Sequence, residues 1–110
     1  MTAKKLAPFH PGEVLYEEFI KPLGPSQNQL ARELKVPPRR INEIVLGKRG
    51  ISADTALRLA RHLGTSPELW LGLQKDYELD VAKDRSEAQI AREVRVRAQS
   101  EAGLDNSASL

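Results

Sequence analysis

Ser26 to Gly50 reads SQNQLARELKVPPRRINEIVLGKRG, and the fold of the chain turns on it. Two short helices joined by a tight turn account for its pattern. Ser26 is a favourable N-cap and Gln29 follows three positions later, the spacing of a capping box in which side chain and backbone satisfy each other's orphan groups. Leu30, Ala31 and Leu34 recur at helical spacing. Lys35-Val36-Pro37-Pro38 then ends this helix, because proline cannot continue one helix but suits the first turn of the next. A second helix is expected from Pro37 or Pro38 to Leu46, closed by Gly47.

The second helix divides by face. Ile41, Ile44 and Val45 form its apolar side, while Arg39, Asn42, Glu43 and Leu46 line the other with Arg40 beside them. Outward-facing Arg and Asn near a helix N-terminus carry the chemistry to read base edges. Arginine bonds bidentately to guanine and asparagine to adenine in a groove wide enough for a helix. That is a helix-turn-helix arrangement.

At 110 residues the chain has room for one core rather than two. Only 5% of residues are aromatic, so that core must be mainly Leu, Ile, Val and Ala. The absence of cysteine excludes disulfides and Cys-based zinc sites and fits a reducing compartment. No apolar run approaches membrane-spanning length and the start lacks a signal-peptide core, so a cytoplasmic location is the expectation.

A net charge of +2 hides a segregated distribution. Residues 26–63 hold eight basic side chains against three acidic ones, whereas residues 64–82 hold one against four. The positive excess therefore lies on the segment that carries the candidate reading helix, the footprint of a nucleic-acid binder.

The remaining elements follow from their punctuation. Residues 1–8 are expected to be a flexible basic start. Pro11 to Ile20 reads as a first helix, with proline near N1 and Glu13 in the first turn. Lys21-Pro22-Leu23-Gly24-Pro25 reads as a non-helical connector. A fourth helix is expected from Ala53 to Leu63, capped by Ser52, stopped by Gly64 and burying Ala56, Leu57, Ala60 and Leu63. A fifth begins at Ser66-Pro67-Glu68 and carries Leu69, Trp70, Leu73 and Tyr77, an apolar set expected to serve the core and to offer a dimer contact. The helix-turn-helix domain would span residues 9–82. Residues 83–110 would form an extension, with a separate helix from Ser86 to Gln99 and a disordered end from Glu101 to Leu110. The fold class expected is thus all-α, with five helices plus a C-terminal extension.

The chain resembles the HigA (VapI-like) antitoxin family, within the Cro and phage-repressor (XRE-type) class of helix-turn-helix proteins. The resemblance rests on His10-Pro11-Gly12-Glu13, Pro22-Leu23-Gly24, Ser26-Gln27, Leu30-Ala31, Val36-Pro37-Pro38-Arg39-Arg40-Ile41-Asn42-Glu43-Ile44, Gly47-Lys48-Arg49-Gly50-Ile51, Asp54 to Ala60, and Ser66 to Leu71. Two positions depart from the family pattern: Lys35 stands where glycine is usual, and Leu46 where asparagine is frequent. The resemblance implies a dimeric antitoxin that binds double-stranded operator DNA ahead of its own operon. It also implies neutralisation of a cognate HigB-type toxin, a RelE-like mRNA endonuclease. No cofactor or metal is implied, and no membrane partner.

By position in the motif, Arg39, Arg40, Asn42 and Glu43 are expected to face the groove, with Arg40 and Asn42 foremost. Ser26, Gln27 and Asn28 would meet a phosphate at a helix N-terminus, and Lys48 and Arg49 would reach the backbone from the loop. Arg39 and Glu43, four apart, equally fit a plain surface ion pair. No catalytic constellation stands out: His10 and His62 lack partners at ligand or triad spacing, and GKRG lacks the Walker spacing. A binding protein rather than an enzyme is expected. The alternative to an antitoxin is a stand-alone helix-turn-helix repressor without a toxin partner.

Overall fold

In the computed structural model, which describes residues 9–98, the chain is all-α, with five helices and no strand among the described residues. Helix α1 covers residues 11–23, α2 Gln27–Leu34, α3 Pro38–Val45, α4 Ala53–Leu63 and α5 Pro67–Glu93. The expectations for residues 1–8 and Glu101 to Leu110 fall outside the described part.

Local signals place most of the helix ends. The hydroxyls of Ser26, Ser52 and Ser66 accept the N–H of Gln29, Thr55 and Leu69 at 3.0, 3.3 and 3.0 Å, satisfying donors that no helical carbonyl reaches. At Ser26 the hydroxyl half of the capping box is formed, while the Gln29 side-chain N–H donates to Glu33 at 3.2 Å. Gly64 closes α4 in the left-handed conformation. Lys35 adopts that same conformation after α2, with φ 61° and ψ 43°, so a side chain occupies a position where glycine avoids strain.

Three expectations need correction. The connector from Lys21 is partly helical, since α1 continues through Leu23. Leu15–Ile20 takes the wider π geometry, in which the Lys21 N–H bonds back to the Tyr16 carbonyl. A proline in a regular α-helix collides with the carbonyl four residues earlier, and the wider turn gives the Pro22 ring room. Secondly, no break separates an extension at residue 83: α5 runs unbroken from Pro67 to Glu93. The expected separate helix from Ser86 is its distal part, and Val94 is already extended. Thirdly, Leu57 is 59% exposed, while Leu59 is fully buried.

The core is a single cluster. Leu15, Leu30, Ile41, Ile44, Leu59 and Trp70 are its fully buried large side chains, joined by Leu34, Ile51, Ala56 and Ala60. Burying each large aliphatic side chain contributes about 1.5–3 kcal/mol. Trp70 packs against Phe19 with ring centroids 5.5 Å apart, and its indole N–H donates to Thr65 Oγ1 at 2.8 Å. Within this frame α2 packs chiefly on α3, and α4 on α5, so the helix-turn-helix pair rests on a scaffold of the other three.

Candidate nucleic-acid interface

Helix α3 is held from behind. Ile41 and Ile44 are fully buried and leave the opposite face, with Arg39, Asn42 and Glu43, turned away from the core. Two contacts fix its far end. Gly12, in the first turn of α1, abuts the Ile44 carbonyl. Beyond the loop, Gln74 of α5 accepts the Ile51 N–H at 2.9 Å, and Gly50 lies so near the same amide that a Cβ there would come within 2.8 Å of it. Gln74 is itself steadied by donating to Glu78 at 2.9 Å.

On the outward face the expected readers separate into two groups. Arg39, the most exposed at 80% of its side chain, donates from Nε to Glu43 Oε2 at 3.0 Å. Arg49, from the loop after α3, donates from Nε to Glu43 Oε1 at 3.0 Å. The Glu43 main-chain carbonyl also accepts the N–H groups of Lys48 and Arg49 at 2.8 and 3.2 Å. The Arg39 hydrogen bond, with Arg49 adding to it, holds the Glu43 carboxyl below the usual carboxylate range. The surface ion pair foreseen between Arg39 and Glu43 is therefore present, enlarged by Arg49.

Arg40 belongs to the second group. Its side chain is only 30% exposed and lies 3.5 Å from Asp54 on α4. Asp54 also accepts from Arg58 Nε at 2.8 Å, and Arg58 Nη1 donates to the Leu34 carbonyl at the end of α2 at 3.0 Å. That carbonyl is one a helical N–H cannot reach. The Asp54–Arg58 pair thus ties the turn between α2 and α3 to α4, with Arg40 at its edge. Asn42 is half-buried on the reading face, and Leu46 at the helix end is exposed.

Ser26, Gln27 and Asn28 stand at the start of α2, where the first-turn N–H groups of Gln27 and Asn28 have no helical carbonyl to reach. No hydrogen bond or ion pair links these residues to the Glu43 cluster. Lys48 is exposed in the loop.

Of the four side chains expected at a dimer contact, Trp70 is fully buried in the monomer and has no surface to offer. Leu73 packs against the core. Tyr77 is half-buried and meets the His10 ring edge-on at 4.8 Å. Leu69 keeps 39% of its surface exposed.

Several residues that set this geometry were missed in the sequence. His10 caps α1, its Nδ1 accepting the Gly12 N–H at 2.9 Å, and burial pushes its pKa down against the opposing pull of Glu13. An N-cap directly before an N1 proline is a local signal, disguised here because histidine is an uncommon cap. Gln74 carries no such signal. His62, which has no partner at ligand or triad spacing in the sequence, meets Glu33 of α2 at 2.9 Å. Among the described residues, no three His, Asp or Glu side chains converge as a metal site requires, and no helix is long and apolar enough to cross a membrane.

Comparison with known proteins agrees with this fold. The helix-turn-helix family model matches residues 17–70. Virulence-associated protein I of Dichelobacter nodosus is 54% identical over 74 residues, covering 67% of this chain and 68% of its own length. Antitoxin HigA-1 of Vibrio cholerae is 32% identical over 85 residues, covering 77% and 80%. Among solved structures, the Pseudomonas aeruginosa antitoxin HigA with higBA promoter superimposes with a TM-score of 0.80 at 43% identity, over 83% of this chain and 99% of that one.

Proposed function

We propose that this chain, which belongs to the HigA (VapI-like) antitoxin family of helix-turn-helix proteins, represses its own operon by binding operator DNA as a dimer and neutralises a cognate RelE-like mRNA endonuclease toxin. The observation that carries the DNA reading is the outward face of α3. A helix held rigidly from behind presents Arg39 and Asn42, flanked by Arg49 and Lys48 in the loop. The solved relative named with its promoter has the same fold over nearly its whole length.

In this reading α3 enters the major groove and Arg39, Arg40 and Asn42 address base edges. Exposed Leu46 suits a thymine methyl group, which the asparagine frequent at that position would not. Lys48, Arg49 and the N-terminus of α2 at Ser26, Gln27 and Asn28 hold phosphates, which supply most of the affinity and make it salt-dependent. Two α3 helices related by a two-fold axis would sit roughly 34 Å apart, one turn of DNA. Leu69, Leu79 and, further along, Ile90 are the large apolar side chains that α5 leaves exposed for a second copy.

The test is co-expression with the adjacent small gene, followed by pull-down, a growth assay and mobility shift on the upstream duplex. A stable complex that rescues arrested cells establishes the antitoxin. Upstream binding without any complex supports a stand-alone repressor.

A further inference from the structure

Glu43 is the only carboxylate on α3, and it sits on the face turned toward DNA in the reading above. A bare negative charge there opposes phosphate binding, so its presence needs a reason. The two ends of the carboxylate are both occupied: Oε2 by Arg39 Nε and Oε1 by Arg49 Nε, each at 3.0 Å. Its side chain is 26% exposed, less than either arginine at 80% and 45%. With both oxygens engaged and flanked in this way, Glu43 is poorly placed to accept from a cytosine amino group as well.

We infer that Glu43 is a positioning residue that holds Arg39 and Arg49 in register for DNA, rather than a reader of bases itself. The inference rests on the operator-binding reading. An arginine anchored through Nε keeps its two Nη groups, the edge that makes bidentate contacts, pointing outward. One anchor therefore aims a base-directed arginine on the helix and a phosphate-directed arginine on the loop. Fixing long side chains before binding reduces the ordering cost of recognising the right sequence. The same negative charge lowers attraction to any DNA. Glu43 thus trades general affinity for discrimination.

The experiment measures full-chain affinity for two duplexes of equal length, the region directly upstream of the operon that holds the chain's gene and a scrambled version, at several salt concentrations. Wild type, Glu43→Gln, Glu43→Asp, Arg39→Ala/Arg49→Ala and the triple variant with Glu43→Gln are compared, with thermal unfolding recorded for each. Glu43→Gln is expected to bind the scrambled duplex more tightly, with a salt slope steeper by about 1. It should lower the upstream-to-scrambled ratio about three- to tenfold, and Glu43→Asp, which restores the charge, should recover part of that ratio. In the Arg39→Ala/Arg49→Ala background, adding Glu43→Gln should leave the ratio unchanged. An undiminished ratio in Glu43→Gln overturns the inference, as does a loss of the ratio that Glu43→Gln still causes in the absence of the two arginines. A wild-type chain that binds neither duplex overturns the operator reading together with this inference, whereas a discriminating wild type with an indifferent Glu43→Gln overturns this inference alone.

Discussion

Gly12 and Ile44 meet backbone to backbone: the first turn of α1 lies so close to the end of α3 that a methyl group on Gly12 would fall on the Ile44 carbonyl. Together with His10 as cap and Pro11 as first helical residue, this contact explains the run His10-Pro11-Gly12. Histidine orients the helix start, proline begins the turn, and glycine permits the approach that braces the reading helix.

Gly12→Ala should therefore destabilise the domain by about 3 kcal/mol, since the obstacle is main chain and cannot rotate away. Gly72→Ala on α5 is the matched control. Nothing lies within 4 Å of its added methyl, so it should gain about 0.5–1 kcal/mol from helix propensity. Denaturant unfolding of both variants checks the contrast; equal effects would contradict the close approach.

Acid should weaken the fold through His10. Its Nδ1 must be unprotonated to accept the Gly12 N–H, and burial lowers its folded-state pKa from 6.5. A lowered folded pKa means that the unfolded chain takes up the proton first. The contribution of His10 is accordingly complete above about pH 6.5 and is lost as pH falls from there through the folded value. His10→Asn keeps a capping acceptor that does not titrate, so its stability profile should lose this slope. Unfolding free energies between pH 5 and 8 would show it.

Lys35→Gly should stabilise the domain by about 0.5–1 kcal/mol. The gain is relief of a left-handed lysine, offset in part by the greater freedom of glycine in the unfolded chain. A thermal melt of the variant is sufficient, and a loss of stability would show that the Lys35 side chain contributes more than its backbone strain removes.

For DNA, the contrast between base and phosphate contacts is the informative one. Arg39→Ala should cost about 1–3 kcal/mol and relax one base position, whereas Lys48→Ala should weaken all sequences alike and reduce the salt slope by about 1. Arg40→Ala should also release Asp54 from one of its two partners. Titration against half-sites mutated one base pair at a time separates these outcomes.

Residue order alone determined the parts whose causes act within a few residues. The serine caps at positions 26, 52 and 66, the N1 prolines and the stop at Gly64 all follow from neighbouring groups, and so all stand in the structure. The apolar pattern of α3 likewise marked its inner and outer faces, because Ile41 and Ile44 repeat at helical spacing. Tertiary structure decided what depends on distant groups meeting. Leu59 rather than Leu57 turns inward on α4, although both lie near the same apolar stripe. Gln74 reaches Ile51 across 23 residues, and Arg58 reaches Leu34 across 24; no local preference encodes either meeting. The two arginines of α3 are told apart by the same means, since Arg40 lies against Asp54 of α4 while Arg39 stands free of the scaffold and pairs with Glu43. Helix ends depend on the neighbouring chain, but the surroundings of an outward side chain depend on which helix packs beside it.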